Sequence, residues 1–256
     1  MKRLFLAALT AAATLAAQEP GAPAGAPPPP HGFAGRGPMG LGMRPGKTIT
    51  GAPYSADVTT SVNQTLADGN TINRTTHGHM ARDSQGRTYS QQDMSGGPWA
   101  QNGPATVIFL ADPVAGYSYV LNPNTKVAMR REFRRPPGDQ VPPPDASRPR
   151  PRANGNDRVE TELGSQVIEG INCTGKSFTH TIPAGAIGNA QAIVDKTETW
   201  TSPDLQLVVL SKRSDPRSGQ STYTLTNIQR SEPDASLFQV PSDYKIEDAP
   251  GWRRRR

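Results

Sequence analysis

The sequence predicts a mainly β protein built on one large curved antiparallel sheet, a half-barrel or open barrel, with at most short helices. Three observations predict it. Apolar and polar residues alternate with a period of two through most of residues 48–248. Tight-turn dipeptides recur at short intervals. No segment sustains the three-and-four apolar spacing of an amphipathic helix. Period two puts one side of each segment into a core and the other into water, and short strands linked by close turns pair antiparallel.

The elements follow in order. Tyr54, Ala56, Val58, Thr60, Val62 and Leu66 lie two or four apart, with Ser55, Asp57, Thr59, Ser61 and Asn63 between them. Asp68-Gly69 then accepts the positive φ of a tight hairpin turn. A second strand is expected at 72–82, a turn at 83–86 and a third strand at 87–93. Strands at 106–111, 117–121 and 126–131 continue the meander, with turns at 112–116 and at Asn122-Pro123-Asn124. Further strands are expected at 165–168, 171–182, 192–201, 205–213 and 221–228, the first two joined by Glu169-Gly170. Trp200 and Tyr223 suit core anchors. A helical turn is expected over 233–238, opened by Pro233.

The segments outside this pattern have a different chemistry. Residues 1–17 read as a cleavable export signal: Lys2 and Arg3, then 14 uncharged residues from Leu4 to Ala17, ending in small side chains. The cut is expected after Ala17, with Ala16 as the alternative. The stretch is short for a membrane span, which needs roughly 20 apolar residues, and the mature chain shows no later one. The protein is therefore expected in the periplasm or secreted. Residues 18–47 form a Pro/Gly/Ala-rich tether, residues 134–157 a disordered Pro/Arg-rich loop within the β domain, and residues 249–256 a basic tail. Proline removes an N–H and fixes φ, which keeps both Pro-rich stretches out of sheet interiors.

The net charge of +6 is local. Residues 130–158 hold eight arginines against four acids, and the chain ends in Arg253-Arg254-Arg255-Arg256. Arg130, Arg131, Arg134, Arg135, Arg148, Arg150 and Arg152 are the expected contacts to an anionic envelope surface or another envelope protein. Nucleic acid is not expected, because Phe133 is the only aromatic residue among these arginines, too few to stack on successive bases. The single cysteine, Cys173, excludes an internal disulfide and reads as a small buried apolar residue.

The second half carries Leu163-Gly164-x-x-x-Ile168-x-Gly170-x-x-Cys173, then Glu198-x-Trp200-x-Ser202 and Leu207-Val208-Val209. It closes on Leu225-Thr226-Asn227-Ile228 and on Pro233-Asp234-x-Ser236-Leu237-Phe238-x-Val240-Pro241-x-x-Tyr244. Over residues 53–246 the chain resembles exported bacterial proteins of an acidobacterial type. More distantly it resembles the outer-membrane lipoprotein carrier superfamily, the LolA-like half-barrels. The resemblance implies a curved sheet that holds a lipid or acyl chain. It brings no catalytic residue, because the matched residues are structural types.

The candidate chemistry is sparse. Tyr117, Tyr119, Phe178, Trp200 and Tyr223 are the expected apolar residues of a ligand site or of the core. His77 and His79 share a face if their segment is a strand, and two imidazoles on one face are the start of a metal site. Such a site needs His180, Asp83 or Asp93 as a further ligand. Gly35-x-Gly37-x-x-Gly40 has the spacing of a phosphate loop but lies in the Gly/Pro-rich tether, not between a strand and a helix. No nucleophile elbow or zinc-protease motif occurs. The expectation is a non-enzymatic binding protein without a cofactor. The alternatives are an envelope interaction or sensor module working through the Pro/Arg loop, and a metal-dependent enzyme at His77 and His79.

Overall fold

A computed structural model describes residues 48–94, 105–133 and 158–249. The stretches expected as export segment (1–17), tether (18–47) and Pro/Arg loop (134–157), and tail residues 250–256, lie outside them. Among the described residues, twelve strands form a single sheet. They are β1 (Tyr54–Thr65), β2 (Thr71–Arg82), β3 (Thr88–Met94), β4 (Ala105–Asp112), β5 (Tyr117–Asn122) and β6 (Val127–Glu132). Then come β7 (Arg158–Ile168), β8 (Ile171–Ile182), β9 (Ile193–Ser202), β10 (Leu207–Asp215), β11 (Gly219–Gln229) and β12 (Lys245–Asp248). The order across the sheet is β12-β6-β5-β4-β3-β2-β1-β11-β10-β9-β8-β7. Two meanders, β1 to β6 and β7 to β11, are joined by the antiparallel pairing of β1 with β11. The terminal strands β12 and β7 do not meet, so the sheet stays open. The one helical element among the described residues is a single turn of 3-10 helix, Ala235–Phe238, capped by the Asp234 carboxylate, which accepts from the Ser236 N–H.

Two features depart from the sequence reading. β7 begins at Arg158, seven residues before the expected start, because the charged stretch Glu160-Thr161-Glu162 sits on a sheet edge that the alternation rule does not weigh. β12 was not expected. It has one apolar residue, Ile246, and all four of its residues are exposed. It also pairs with β6 in parallel, while the other strand pairs of the described residues are antiparallel.

Two apolar clusters hold the described fold, and they lie on opposite faces of the sheet. The first contains Tyr54, Ala56, Val58, Met80, Ile171, Cys173, Leu205, Val209, Tyr223 and Leu225. The second contains Ala81, Tyr89, Leu110, Leu121, Ala128 and Phe238, with Leu237, Val240 and Tyr244 packed against it. Met80 and Ala81 are neighbours on β2 and belong to different clusters. Successive side chains on a strand point to opposite faces, so the sheet carries a core on each side. Phe238 and its neighbours form a strap that covers the second cluster beside β3 and β4.

Arg82 ties the two meanders together. Its Nε and Nη2 donate to the Ala52 carbonyl at 3.0 and 2.8 Å, and Nη2 also donates to the Leu205 carbonyl at 2.6 Å. The guanidinium lies over the Tyr54 ring, 5.0 Å from its centroid. Burial lowers the Arg82 pKa and raises that of the Tyr54 hydroxyl. No buried side-chain N or O lacks a hydrogen-bond partner among the described residues, as a stable core requires.

Candidate functional site

Where β7 turns into β8, the chain leaves a hollow of about 410 Å³, open to solvent. Ser165, Gln166 and Val167 line it from β7, Asn172, Cys173 and Thr174 from β8, and Pro203 from the turn after β9. The Glu169-Gly170 turn makes this geometry. Both residues have positive φ, 50° and 74°, and so reverse the chain within two residues to set Ile168 opposite Ile171. Val167 is 66% exposed, whereas Cys173 is buried and belongs to the first cluster. The hollow thus lies on the face of the hairpin that carries Ser165, Val167, Asn172 and Thr174, all exposed, whereas Cys173 pairs with Gln166 and turns its side chain to the opposite face, into the first cluster. Cys173 is not a nucleophile here: its thiol donates to the Ile171 carbonyl at 3.5 Å, and burial pushes its pKa up.

Gly175 and Trp200 stand next to the hollow. They pair directly across β8 and β9, and the indole lies against the glycine. A Cβ on Gly175 would stand 2.6–2.7 Å from three atoms of the Trp200 ring. The ring is half-buried against the first cluster.

The sequence-expected aromatics do not converge on one site. Tyr223 is buried in the first cluster, and its hydroxyl lies 3.3 Å from the Met80 sulfur, with its pKa raised by burial. Trp200 packs on the same cluster. Tyr119 packs on the second, and Tyr117 lies beside it with ring centroids 6.4 Å apart. Phe178 is half-buried on β8, opposite Glu160 of β7.

His77 and His79 share a face of β2, but each faces a different neighbour on β1. The His77 Nδ1 lies 3.4 Å from the Thr59 hydroxyl, and the His79 Nδ1 lies 3.0 Å from an Asp57 carboxylate oxygen. The other Asp57 oxygen accepts from the Asn227 amide at 2.8 Å. The Asn227 amide, and secondarily His79, hold the Asp57 carboxyl below the usual carboxylate range. The further ligands considered from the sequence are elsewhere. Asp83 is fully buried and accepts from the Gln85 and Arg87 N–H groups and the Arg87 side chain. Asp93 accepts from the Thr106 hydroxyl, and His180 stands on β8 opposite Asp195. Among the described residues no three His, Cys, Asp or Glu side chains are placed to hold a metal ion.

The Asp57–His79 contact was not anticipated. Counting outward from a two-residue Asp68-Gly69 turn puts residue 57 opposite residue 80, whereas the observed register is centred on Asp68 and pairs 57 with 79. Of the expected anionic-surface contacts, Arg130 pairs with Asp248 at 2.9 Å and lies over the Tyr117 ring, while Arg131 is exposed. Arg134, Arg135, Arg148, Arg150 and Arg152 lie outside the described residues.

No family model matches the chain, and no curated protein does. Solved structures do. The chain is similar to MucB in the MucA/MucB complex of Pseudomonas aeruginosa (TM-score 0.40, 10% identity, 77% of this chain and 58% of that one). It spans less than two thirds of the length of MucB. It is also similar to a LolA superfamily protein from Nitrosomonas europaea (TM-score 0.31, 9% identity, 75% and 91% of the two chains). A third likeness is to the lipoprotein LppX of Mycobacterium tuberculosis (TM-score 0.31, 15% identity, 72% and 90%). No helix among the described residues is long and apolar enough to cross a membrane.

Proposed function

We propose that this is an exported, non-enzymatic protein that binds a lipid or another apolar ligand of the cell envelope on its open sheet. One observation carries the reading: the solvent-open hollow at the β7–β8 turn, where the exposed apolar side chains of Val167 and Pro203 stand at the end of an open sheet. A hydrocarbon chain seated there takes these side chains out of water, and burial of apolar area is the main favourable term in such binding. Trp200, on the other face of the β8–β9 pair, serves as an optical reporter. The arginines of the 134–157 stretch would add attraction to an anionic surface.

Titration with a fluorescent fatty acid tests this. Saturable binding is expected, with energy transfer from Trp200. A carboxylate introduced by Val167→Asp should weaken binding about tenfold or more, since a charge against a hydrocarbon chain must be desolvated. Equal binding by wild type and Val167→Asp would remove the hollow from the reading, and no binding by either would remove the ligand class.

A further inference from the structure

The hairpin of β8 and β9 reaches past its neighbours. Its last two pairs, Thr181 with Val194 and Ile182 with Ile193, have no flanking strand among the described residues: β7 begins opposite His180, and the pairing of β10 with β9 stops at Lys196. A ten-residue loop, 183–192, closes the hairpin. The fourteen residues from Thr181 to Val194 hold no charge. The other described turns at this end of the sheet each carry one, at Asp68, Lys126 and Arg217. Residues 183–188 are all exposed, Ile187 at 62%, and Val194 stands below them at 46%. Single apolar residues on a surface need no explanation, but a contiguous apolar projection does.

The polar groups of the loop are spent within it. The N–H groups of Gly185, Ala186, Ile187 and Gly188 donate in turn to the Asn189 carbonyl, the Pro183 carbonyl, the Asn189 side-chain oxygen and the Gly185 carbonyl. The Asn189 amide nitrogen donates to the carbonyls of Pro183 and Gln191 at 2.9 and 2.6 Å. A loop in water can leave such groups to the solvent, whereas one that enters hydrocarbon must pair them internally. With Asn189 used up, Gln191 is the one other polar side chain of the loop, too little to specify a protein partner by polar contacts. A bilayer asks only for apolar surface and a paired backbone. The charge nearby suits an anionic one. Asp195, the first acid below the loop on β9, is paired with Arg213 at 2.7 Å. Residues 134–157, with five arginines against three aspartates, join the sheet at Arg158, opposite His180 and so at the foot of the loop. Such a basic stretch is drawn to anionic headgroups.

We propose that loop 183–192 is a membrane-contact tip. Ile187, with Pro183, Ala184 and Ala186 around it, enters the interfacial layer of a lipid bilayer, and the charged residues below Val194 stay in water. This surface is separate from the hollow, which opens at the other end of β8, roughly 35 Å away at the rise of a strand.

The experiment uses the full chain and vesicles of mixed zwitterionic and anionic lipid. The wild type is expected to co-sediment with them, and Ile187→Glu to bind about tenfold more weakly or worse, since a carboxylate must be desolvated to enter the layer. Ile187→Trp, whose ring suits the interface, should bind at least as well as the wild type. A polarity-sensitive dye on Ala186→Cys should shift to the blue with vesicles. The same dye on Val114→Cys, an exposed site in a turn at the other end of the sheet, should not shift, and the buried Cys173 stays unlabelled. Absence of wild-type binding, equal binding by Ile187→Glu, lost binding by Ile187→Trp, or equal dye shifts at the two sites would each overturn the proposal. So would an Ile187-dependent dimer in the protein without vesicles, which would assign the tip to a second copy. Fatty-acid binding by Ile187→Glu in solution should match the wild type, so a failure of the tip and a failure of the hollow read out separately.

Discussion

At the scale of single residues, a missing methyl group decides how β8 meets β9. Gly175 lets the Trp200 ring lie directly on the backbone while it also packs, half-buried, against the first cluster. Gly175→Ala is expected to destabilise by about 1–3 kcal/mol, the usual cost of overpacking. Urea unfolding measures it, and the near-UV circular dichroism of the tryptophans should change in step. Asn227 makes the opposite point. It sits in the left-handed region at φ 53°, next to the irregularity that interrupts β1–β11 pairing between Ser55 and Asp57, and its amide holds Asp57. In an ordinary strand alanine is better than glycine by about 0.5–1 kcal/mol. Here the order should invert, with Asn227→Ala less stable than Asn227→Gly, because both lose the hydrogen bond and only alanine keeps the Cβ clash. A normal order would mean that the bulge relaxes in the variants.

At the scale of elements, the C-terminal strap and the strand after it contribute unequally. Phe238 is 6% exposed and closes the second cluster, whereas all four residues of β12 are exposed and its ion pairs lie in solvent. Phe238→Ala should therefore cost about 3 kcal/mol or more. A chain ending at Tyr244 should lose no more than about 1 kcal/mol, since surface ion pairs are worth little. Equilibrium unfolding of the two variants decides, and equal losses would show that β12 does more than its exposure indicates. The same contrast explains what could be read from the sequence. Ten strands of the two meanders were legible because their alternation is local and their turns carry Asp-Gly, Glu-Gly or Asn-Pro. The start of β7 was not legible because its residues are polar on both sides of an open edge. β12 was not legible because its partner β6 is more than a hundred residues away and its pairing is held by backbone bonds, with no apolar stripe to mark it.

At the scale of the whole molecule, the single open sheet was legible and the division of its core was not. Alternation states that each strand has an apolar face, but not that the face used by Met80 and the face used by Ala81 both become cores. That depends on the β1–β11 pairing and on the return of the strap, both long-range. For the same reason the aromatics expected in a ligand site or in the core do not gather: Tyr223 and Trp200 go with the first cluster and Tyr119 with the second, and the hollow is lined by Val167 and Pro203, which no motif marks. The binding role proposed for the open sheet rests on that hollow. Native mass spectrometry of the full chain purified without detergent, before and after organic extraction, tests this most directly. The expected result is an adduct of acyl-lipid mass that extraction removes, that returns on adding the extract, and that is absent from Val167→Asp. A protein found only at its own mass, with nothing taken up from the extract, would contradict it.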